Sequence, residues 1–216
     1  MISSPDMNKL LRRHLSPILR DSGFTKVSAR KSWGWHGHCT WVLQIRAVGN
    51  YFSQVTGWPP MSVCVWTGIY YDFVPFRGHT PPKTDNKGRL IPDEVYCHMR
   101  SHLSCTLDQK VYTKALSNLP ERSRKDIWWF ESDGSNMTEA VKNIVQCFVS
   151  EGEQWFRRYT DLPATLAYIE SERDCLIKYY NAKYFAKHLG LADRYRHYAD
   201  LVEKEEARIA SRTPPA

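Results

Sequence analysis

The chain has 216 residues, enough for one large domain or for one domain with an appendage. Its hydrophobic share of 42% and charged share of 25% are those of an ordinary soluble globular protein, and no apolar run approaches the length that spans a bilayer, which excludes a membrane-spanning protein. The formal net charge is +7, and residues 1–50 carry most of it, with eight Lys and Arg against two Asp and Glu. Such a basic balance is compatible with nucleic acid, an acidic protein or an anionic surface as partner, and equally with a solvated face that aids solubility.

The first predicted element is an N-terminal helix, with Ser4 as its cap, Pro5 in its first turn and Gly23 at its end. Its apolar residues recur at helical spacing: Met7, Leu11, Leu15, Ile18 and Leu19. Pro17 interrupts this pattern and removes one backbone donor. We therefore expect a kink or a division into two short helices.

Three strand-like stretches follow. Residues 25–35 predict a short, irregular strand, whereas residues 38–48 alternate between apolar and polar side chains, as a half-buried strand does. Residues 61–74 are apolar or aromatic on both faces, so this strand is expected inside the sheet with material packed on each side.

The middle of the chain is less regular. Residues 75–92 contain four prolines and two glycines and predict a long exposed loop. Residues 94–107 are compatible with a strand or with irregular structure. The aromatic run at residues 127–130 is strand-like.

The C-terminal part is predicted to be helical. An apolar stripe predicts a helix over residues 138–159, weakened by Gly152; a second helix runs from Pro163 to Gly190, and a third covers residues 192–210. The short connection makes the last two an antiparallel hairpin. The predicted fold is α+β: a largely antiparallel sheet with an N-terminal helix and a C-terminal helical hairpin. Residues 1–136 form the sheet domain, and residues 137–216 are helices that pack on it in one continuous globular unit.

Five features follow one another along the chain. The first is a leucine-rich helix that ends in Gly23-Phe24, and a basic aromatic strand comes after it. A strand with Leu43-Gln44, a strand that reaches Gly68-Ile69-Tyr70, and a Trp- and Phe-containing segment before a helix complete the series. In outline, over the first 160 residues, this order resembles a bacterial family of domains of unknown function. The resemblance implies an α+β fold without an assigned reaction. Some similar small bacterial proteins lie beside toxin genes and are presumed immunity proteins.

Basic and aromatic side chains alternate in the first strands, and the candidate binding surface consists of Lys26, Arg30, Lys31, Trp33, Trp35 and Arg46. Single-stranded nucleic-acid binders use this combination, because bases stack on rings while cations follow phosphates. The alternative is that the tryptophans are core residues and the cations are solvated.

Histidine and cysteine concentrate in the same half of the chain, and the candidate metal ligands are His36, His38, Cys97, His98, His102 and Cys105. Zinc takes about four such ligands, but the spacing fits no zinc finger or ribbon. Strand alternation would also direct Cys97 and His98 to opposite faces. We therefore assign no metal site, no cofactor and no catalytic residue.

These observations favour a bacterial, non-enzymatic protein-binding module of the immunity type, whose partner is an acidic protein. Single-stranded nucleic-acid binding is one alternative, and a metal- or thiol-dependent hydrolase that uses the His and Cys residues is another. No signal segment begins the chain, and the cysteines lie mostly within apolar patterns, so a cytoplasmic location is expected.

Overall fold

The computed structural model describes residues 3–56, 58–78, 80–108, 125–131 and 133–212. It confirms the α+β class, with an N-terminal helix, a five-stranded antiparallel sheet and C-terminal helices. The strand order follows the chain. The strands are β1 Lys26–Val27, β2 Lys31–His36, β3 Cys39–Ala47, β4 Val63–Tyr71 and β5 Met99–His102.

The helices lie before, between and after these strands. They are α1 Ser4–Asp21, α2 Asn50–Thr56, α3 Met137–Cys147, α4 Glu153–Thr160, α5 Leu162–Ser171, α6 Leu176–His188 and α7 Ala192–Ala210. A 3₁₀ turn at Glu94–Tyr96 precedes β5, and a π-helix at Phe148–Gly152 joins α3 to α4.

Helix α1 is continuous through Pro17, so the expected division into two helices is wrong. Its N-terminal cap is Ser3, whose hydroxyl accepts from the Asp6 N–H. At the other end Gly23 has a φ of +108°, and the Phe24 N–H donates to the Leu19 carbonyl at 2.9 Å. This turn directs Phe24 into the core.

The face of the sheet that carries Trp41, which we call the inner face, packs against Phe24 at the end of α1 and against Phe156 of α4. Phe24 is in edge contact with Trp41 of β3, with ring centroids 5.8 Å apart, and Trp41 stacks on Phe156 of α4 at 5.0 Å. Helix α1 packs against α3 on the same side, with Leu11 and Leu15 buried. The predicted covered face of β3 is therefore confirmed, but β3 is not half-buried, because Thr40, Val42 and Gln44 on its other face are buried as well.

The predicted helix over residues 138–159 is helical throughout but not uniform. Its middle is the π-helix Phe148–Gly152, where we expected only a weak point at Gly152. A Cβ on Gly152 would lie 3.0 Å from Leu103 and from Phe148, so the glycine lets the π-helix approach the end of β5.

The prediction of one helix from Pro163 to Gly190 is wrong. The chain leaves the helical conformation at Glu172 and starts α6 after Cys175, and both residues have extended backbones. The exposed polar run at residues 171–174 explains the break, because it offers no apolar position that a continuous helix could bury. The hairpin of α6 and α7 is confirmed.

The chain forms two compact units. One consists of Met1–Tyr70 with Pro82–Phe156 and contains α1, most of the sheet and α3. The other consists of Tyr71–Pro81 with Arg157–Ala216 and contains α5, α6 and α7, where Phe185 packs against Tyr71 and Phe73. The sequence analysis divides the chain between residues 136 and 137, where strand-like patterns end and helical periodicity begins. That division stays a prediction.

No helix in the described part of the chain has the length and apolar character that crossing a membrane requires.

Candidate functional site

The sheet has a second face, on the side away from Trp41, which we call the outer face. Strand pairing places Trp33 opposite Val42 in β2 and β3, and Trp66 opposite His102 in β4 and β5. Because side chains alternate along a strand, one set shares this face. Its members are Lys31, Trp33, Trp35, Val42, Gln44, Arg46, Trp66, Tyr70, Arg100 and His102.

Residues 82–93, which we call the cover segment, lie on the β2 and β3 half of the outer face. The indole N–H of Trp33 donates to the Pro92 carbonyl at 2.8 Å, and that of Trp35 donates to the Leu90 carbonyl at 2.9 Å. Leu90 and Ile91 pack against the buried cluster beneath them. The loop predicted to be exposed is therefore covered in part, because the indoles of two tryptophans bind its backbone, while residues 83, 84 and 86–88 are exposed.

Asp85 closes a tight hairpin within the cover segment. Its carboxylate accepts from the Arg89 guanidinium at 2.8 and 3.0 Å and from the backbone N–H groups of Lys87 and Arg89. Burial alone would raise the pKa of Asp85, but these hydrogen bonds outweigh it and lower the pKa to about 2. The Arg89 guanidinium in turn stacks on Trp35, 3.7 Å from the ring centroid.

Replacing Asp85 by Asn should open this hairpin, because the amide loses the charge that holds Arg89. We expect faster cleavage by trypsin after Lys83, Lys87 or Arg89 than in the wild type, measured by limited proteolysis and mass spectrometry. Asp200→Asn, on the exposed side of α7, is the matched control. Equal cleavage rates in Asp85→Asn and the wild type would contradict the structural role of Asp85.

The β4 and β5 half of the outer face contains a buried acid. Glu94 is 0% exposed and lies between Arg46 of β3 and Arg100 of β5. Arg46 Nη2 lies 3.0 Å from Glu94 Oε2, and Arg100 Nε lies 2.5 Å from Oε1. The Glu94 N–H donates to the Gln44 side-chain oxygen at 3.2 Å. We call Arg46, Glu94 and Arg100 the ion triad.

Gly68 of β4 makes room for the triad. A Cβ there would lie 2.6 Å from the Cys97 Sγ and 2.8 Å from its Cβ. The residue opposite Gly68 is Arg100. The missing side chain thus allows the Glu94–Tyr96 turn to rest on the sheet, which places the Glu94 carboxylate between strands that are not neighbours.

The two arginines remain accessible although their partner is buried. Their side chains are 42% and 44% exposed, and the contacts to Glu94 use one nitrogen of each guanidinium, which has five N–H donors in all. Arg100 lies 5.9 Å from the ring centroid of Trp66, which is partly exposed, and His102 lies at 5.8 Å on the same ring. We call Arg46, Trp66, Arg100 and His102 the arginine–tryptophan patch.

Four residues of the predicted binding surface lie at or under the cover segment. Trp33 is buried there and Trp35 partly buried, Lys31 pairs with Asp93 at 2.5 Å, and the Lys26 ammonium lies 5.5 Å from the Trp33 ring.

The remaining two predicted residues lie apart from these four. The Arg30 guanidinium donates to Asn8 at 2.9 Å and to Ser4 at 2.6 Å, on the α1 side. Arg46 belongs to the ion triad.

The predicted metal candidates are not brought together. His36 stacks on Trp41 at the β2–β3 hairpin, where His38 forms the turn, while Cys97 packs under the cover segment with Trp33. The others lie near Tyr70 (His98), Trp66 (His102) and Asn143 (Cys105). Within the part of the chain that the structure describes, no group of three or more His, Cys, Asp or Glu side chains is placed to hold a metal ion.

His98 gives the protein a pH dependence of stability. Burial lowers the pKa of His98 from 6.5 to about 4, so the unfolded chain takes up this proton at a higher pH than the folded chain. The free energy of unfolding should therefore fall as the pH drops from 6.5 to 4, by about 3 kcal/mol from this group. Urea unfolding gives the free energy of unfolding of the wild type and of His98→Gln at each pH. Between pH 6.5 and pH 4 the free energy of the wild type should fall by about 3 kcal/mol relative to that of His98→Gln. A difference independent of pH would contradict the assignment.

A small, half-open pocket of about 70 Å³ lies beside β5, on the side of the π-helix. It is lined by Thr67, Ser101, His102, Leu103, Glu151, Gly152 and Trp155. Glu151 Oε1 accepts from the Ser104 N–H at 2.7 Å, which ties the π-helix to the end of β5.

Sequence reasoning missed Trp66, Glu94 and Arg100 as parts of one site. Their separation along the chain gives no motif, and Glu94 stands in a stretch without clear periodicity.

Comparison of the chain with protein-family models, with curated proteins and with solved structures finds no match. The resemblance to a bacterial domain family therefore stays a prediction.

Proposed function

We propose that the protein is a non-enzymatic protein-binding module that takes an acidic partner on the arginine–tryptophan patch. The observation that carries this proposal is the ion triad, in which a buried carboxylate fixes two arginines whose outward sides remain exposed. Guanidinium groups held in this way bind carboxylates with little further loss of side-chain freedom. Trp and Arg are also the residues that most often dominate binding energy at protein interfaces.

The buried thiols of Cys97 and Cys105 support binding rather than catalysis. Burial raises the pKa of the Cys97 thiol well above its ordinary value and raises that of Cys105 to about 11. The thiolate is the nucleophilic form of cysteine. Both cysteines are therefore poor nucleophiles at neutral pH, which counts against a thiol-dependent hydrolase.

Single-stranded nucleic-acid binding is the second candidate. It is favoured by the partly exposed Trp66, whose ring centroid lies 5.9 Å from Arg100 and 5.8 Å from the His102 ring. A base would stack on this ring while phosphates contact the cations. The immunity-type role and the cytoplasmic location belong to the first proposal as expectations.

Fluorescence anisotropy with two labelled probes separates these candidates: an octapeptide of alternating Glu and Val, and a deoxythymidine dodecamer. The decisive variant is Arg46→Met/Glu94→Leu/Arg100→Met, called the apolar variant. It removes the whole ion triad, and apolar replacement of a complete buried ion group often preserves or increases stability. The control is Arg12→Gln/Arg13→Gln, which removes two exposed arginines from α1.

We expect the wild type to bind the peptide, the apolar variant to bind at least about tenfold more weakly, and the control to differ little. Affinity should also fall as salt rises, since the attraction is electrostatic. Equal peptide binding by the wild type and the apolar variant would overturn the proposal. Tighter binding of the oligonucleotide, lost in the apolar variant, would establish the second candidate instead.

A further inference from the structure

Among the strands that the structure describes, β5 is the last in the sheet order, with β4 as its neighbour. The Leu103 N–H donates to the Val65 carbonyl at 3.0 Å, and the register pairs Ser101 with Thr67. Backbone hydrogen bonds of an antiparallel pair come at every second residue. The N–H and C=O groups of Leu103 and Ser101 therefore point toward β4, and those of Arg100 and His102 point away from it.

We infer that the acidic partner binds as an extended strand added to β5, with alternate side chains on the arginine–tryptophan patch and in the pocket beside Glu151. This inference rests on the proposed function and deepens it. An added strand gains affinity from backbone hydrogen bonds and specificity from pockets for alternate side chains. Both features meet at β5.

The two faces of the sheet select different side chains. A partner residue opposite Arg100 or His102 lies on the outer face, where an Asp or Glu carboxylate meets Arg100. The residue between two such positions points to the inner face, toward the pocket lined by Ser101, Glu151 and Trp155. A carboxylate beside an indole ring suits a cationic side chain. The partner segment is thus acidic, basic and acidic at consecutive positions.

Charge also decides against a second copy of this chain. Antiparallel pairing of two β5 strands would bring the Arg100 side chains of the two copies close to each other. Like charges directly opposite each other destabilise a strand pair, and charged edge residues protect natural sheets from self-association. The same charges attract an acidic strand.

The test uses the probe peptide acetyl-Ser-Val-Glu-Lys-Glu-Val-Ser-amide in isothermal titration calorimetry. In the added strand, the two glutamates of the probe lie opposite Arg100 and His102. Their backbone N–H and C=O groups form hydrogen bonds with those of Arg100 and His102. Methylation of both glutamate amide nitrogens removes those bonds, and methylation of the lysine amide nitrogen, which points away from β5, is the matched control. A peptide with the central order Glu-Glu-Lys tests the alternation.

We expect the glutamate-methylated peptide and the reordered peptide to bind at least about tenfold more weakly than the probe, and the lysine-methylated peptide to bind about equally. Glu151→Gln should weaken the probe but not its norleucine analogue. In hydrogen exchange, the Arg100 and His102 amides should exchange quickly in the free protein and slowly in the complex.

Slow exchange of both amides in the free protein would overturn the inference, because the edge would then be paired already. The inference would also be overturned if the wild type bound all the peptides equally well and the apolar variant bound none of them. The proposed function would stand in that case. Failure of the proposed function looks different: the apolar variant would then bind the acidic peptides as well as the wild type does, or no acidic peptide would bind.

Discussion

Replacing Arg46 and Arg100 together by Met should lower the free energy of unfolding by about 3–5 kcal/mol, because it leaves a buried carboxylate without a partner charge. Glu94 is 0% exposed, and these two arginines are the cations that contact its carboxylate among the described residues. The desolvation of the carboxylate is then no longer offset. Urea unfolding at neutral pH measures the loss.

The apolar variant is the control, because it differs from the double variant only at residue 94. Removal of the acid as well should recover most of the lost stability, even though three polar side chains are now absent. Equal stability of the double and the apolar variant would contradict the account. Glu94 would then be able to reach solvent once the arginines are gone.

Phe24→Ala should cost a similar amount, about 3–5 kcal/mol of the free energy of unfolding, because it opens a cavity between Trp41 of β3, Phe148 of the π-helix and Phe156 of α4. Phe24 is 1% exposed, and its ring centroid lies 5.3 Å from Phe156 and 6.1 Å from Phe148. Little room exists for these rings to collapse into the space, since they also pack on one another. Urea unfolding of the purified variant measures the effect.

Phe52→Ala is the matched control. Phe52 is of the same type but is 47% exposed on α2, so its removal should cost less than about 1 kcal/mol. A loss at Phe24 no larger than that at Phe52 would show that Phe24 does not organise the core.

Local patterns predicted most of the fold. The alternation in β3 and the apolar stripe of α1 follow from residues that are close in sequence, and burial of one face decides both. The break between α5 and α6 was missed because apolar residues on either side of Glu172 continue at helical spacing. Only the run of polar residues at the break marks it.

The candidate site could not be predicted in the same way. Whether Trp33 and Trp35 are exposed depends on the cover segment, which lies more than fifty residues later in the chain. The ion triad joins residues of β3 and β5, which β4 separates, and it needs the space that Gly68 leaves above β4. Contacts between residues so far apart in the chain leave no periodic signal in one sequence. The sequence therefore showed that Lys26, Arg30, Lys31 and Arg46 are cations near the sheet, but it did not show which of them remain accessible.

Site-specific nuclear magnetic resonance can show whether an acidic peptide binds at the arginine–tryptophan patch. The probe peptide acetyl-Ser-Val-Glu-Lys-Glu-Val-Ser-amide is added to protein labelled in its arginine and tryptophan side chains. The account predicts that the Nε–H signals of Arg46 and Arg100 and the ring signals of Trp66 shift in proportion to bound peptide, while those of Trp33 stay in place. Shifts confined to Arg12 and Arg13 of α1, with Arg46 and Arg100 unchanged, would contradict it and place acidic ligands on the N-terminal helix.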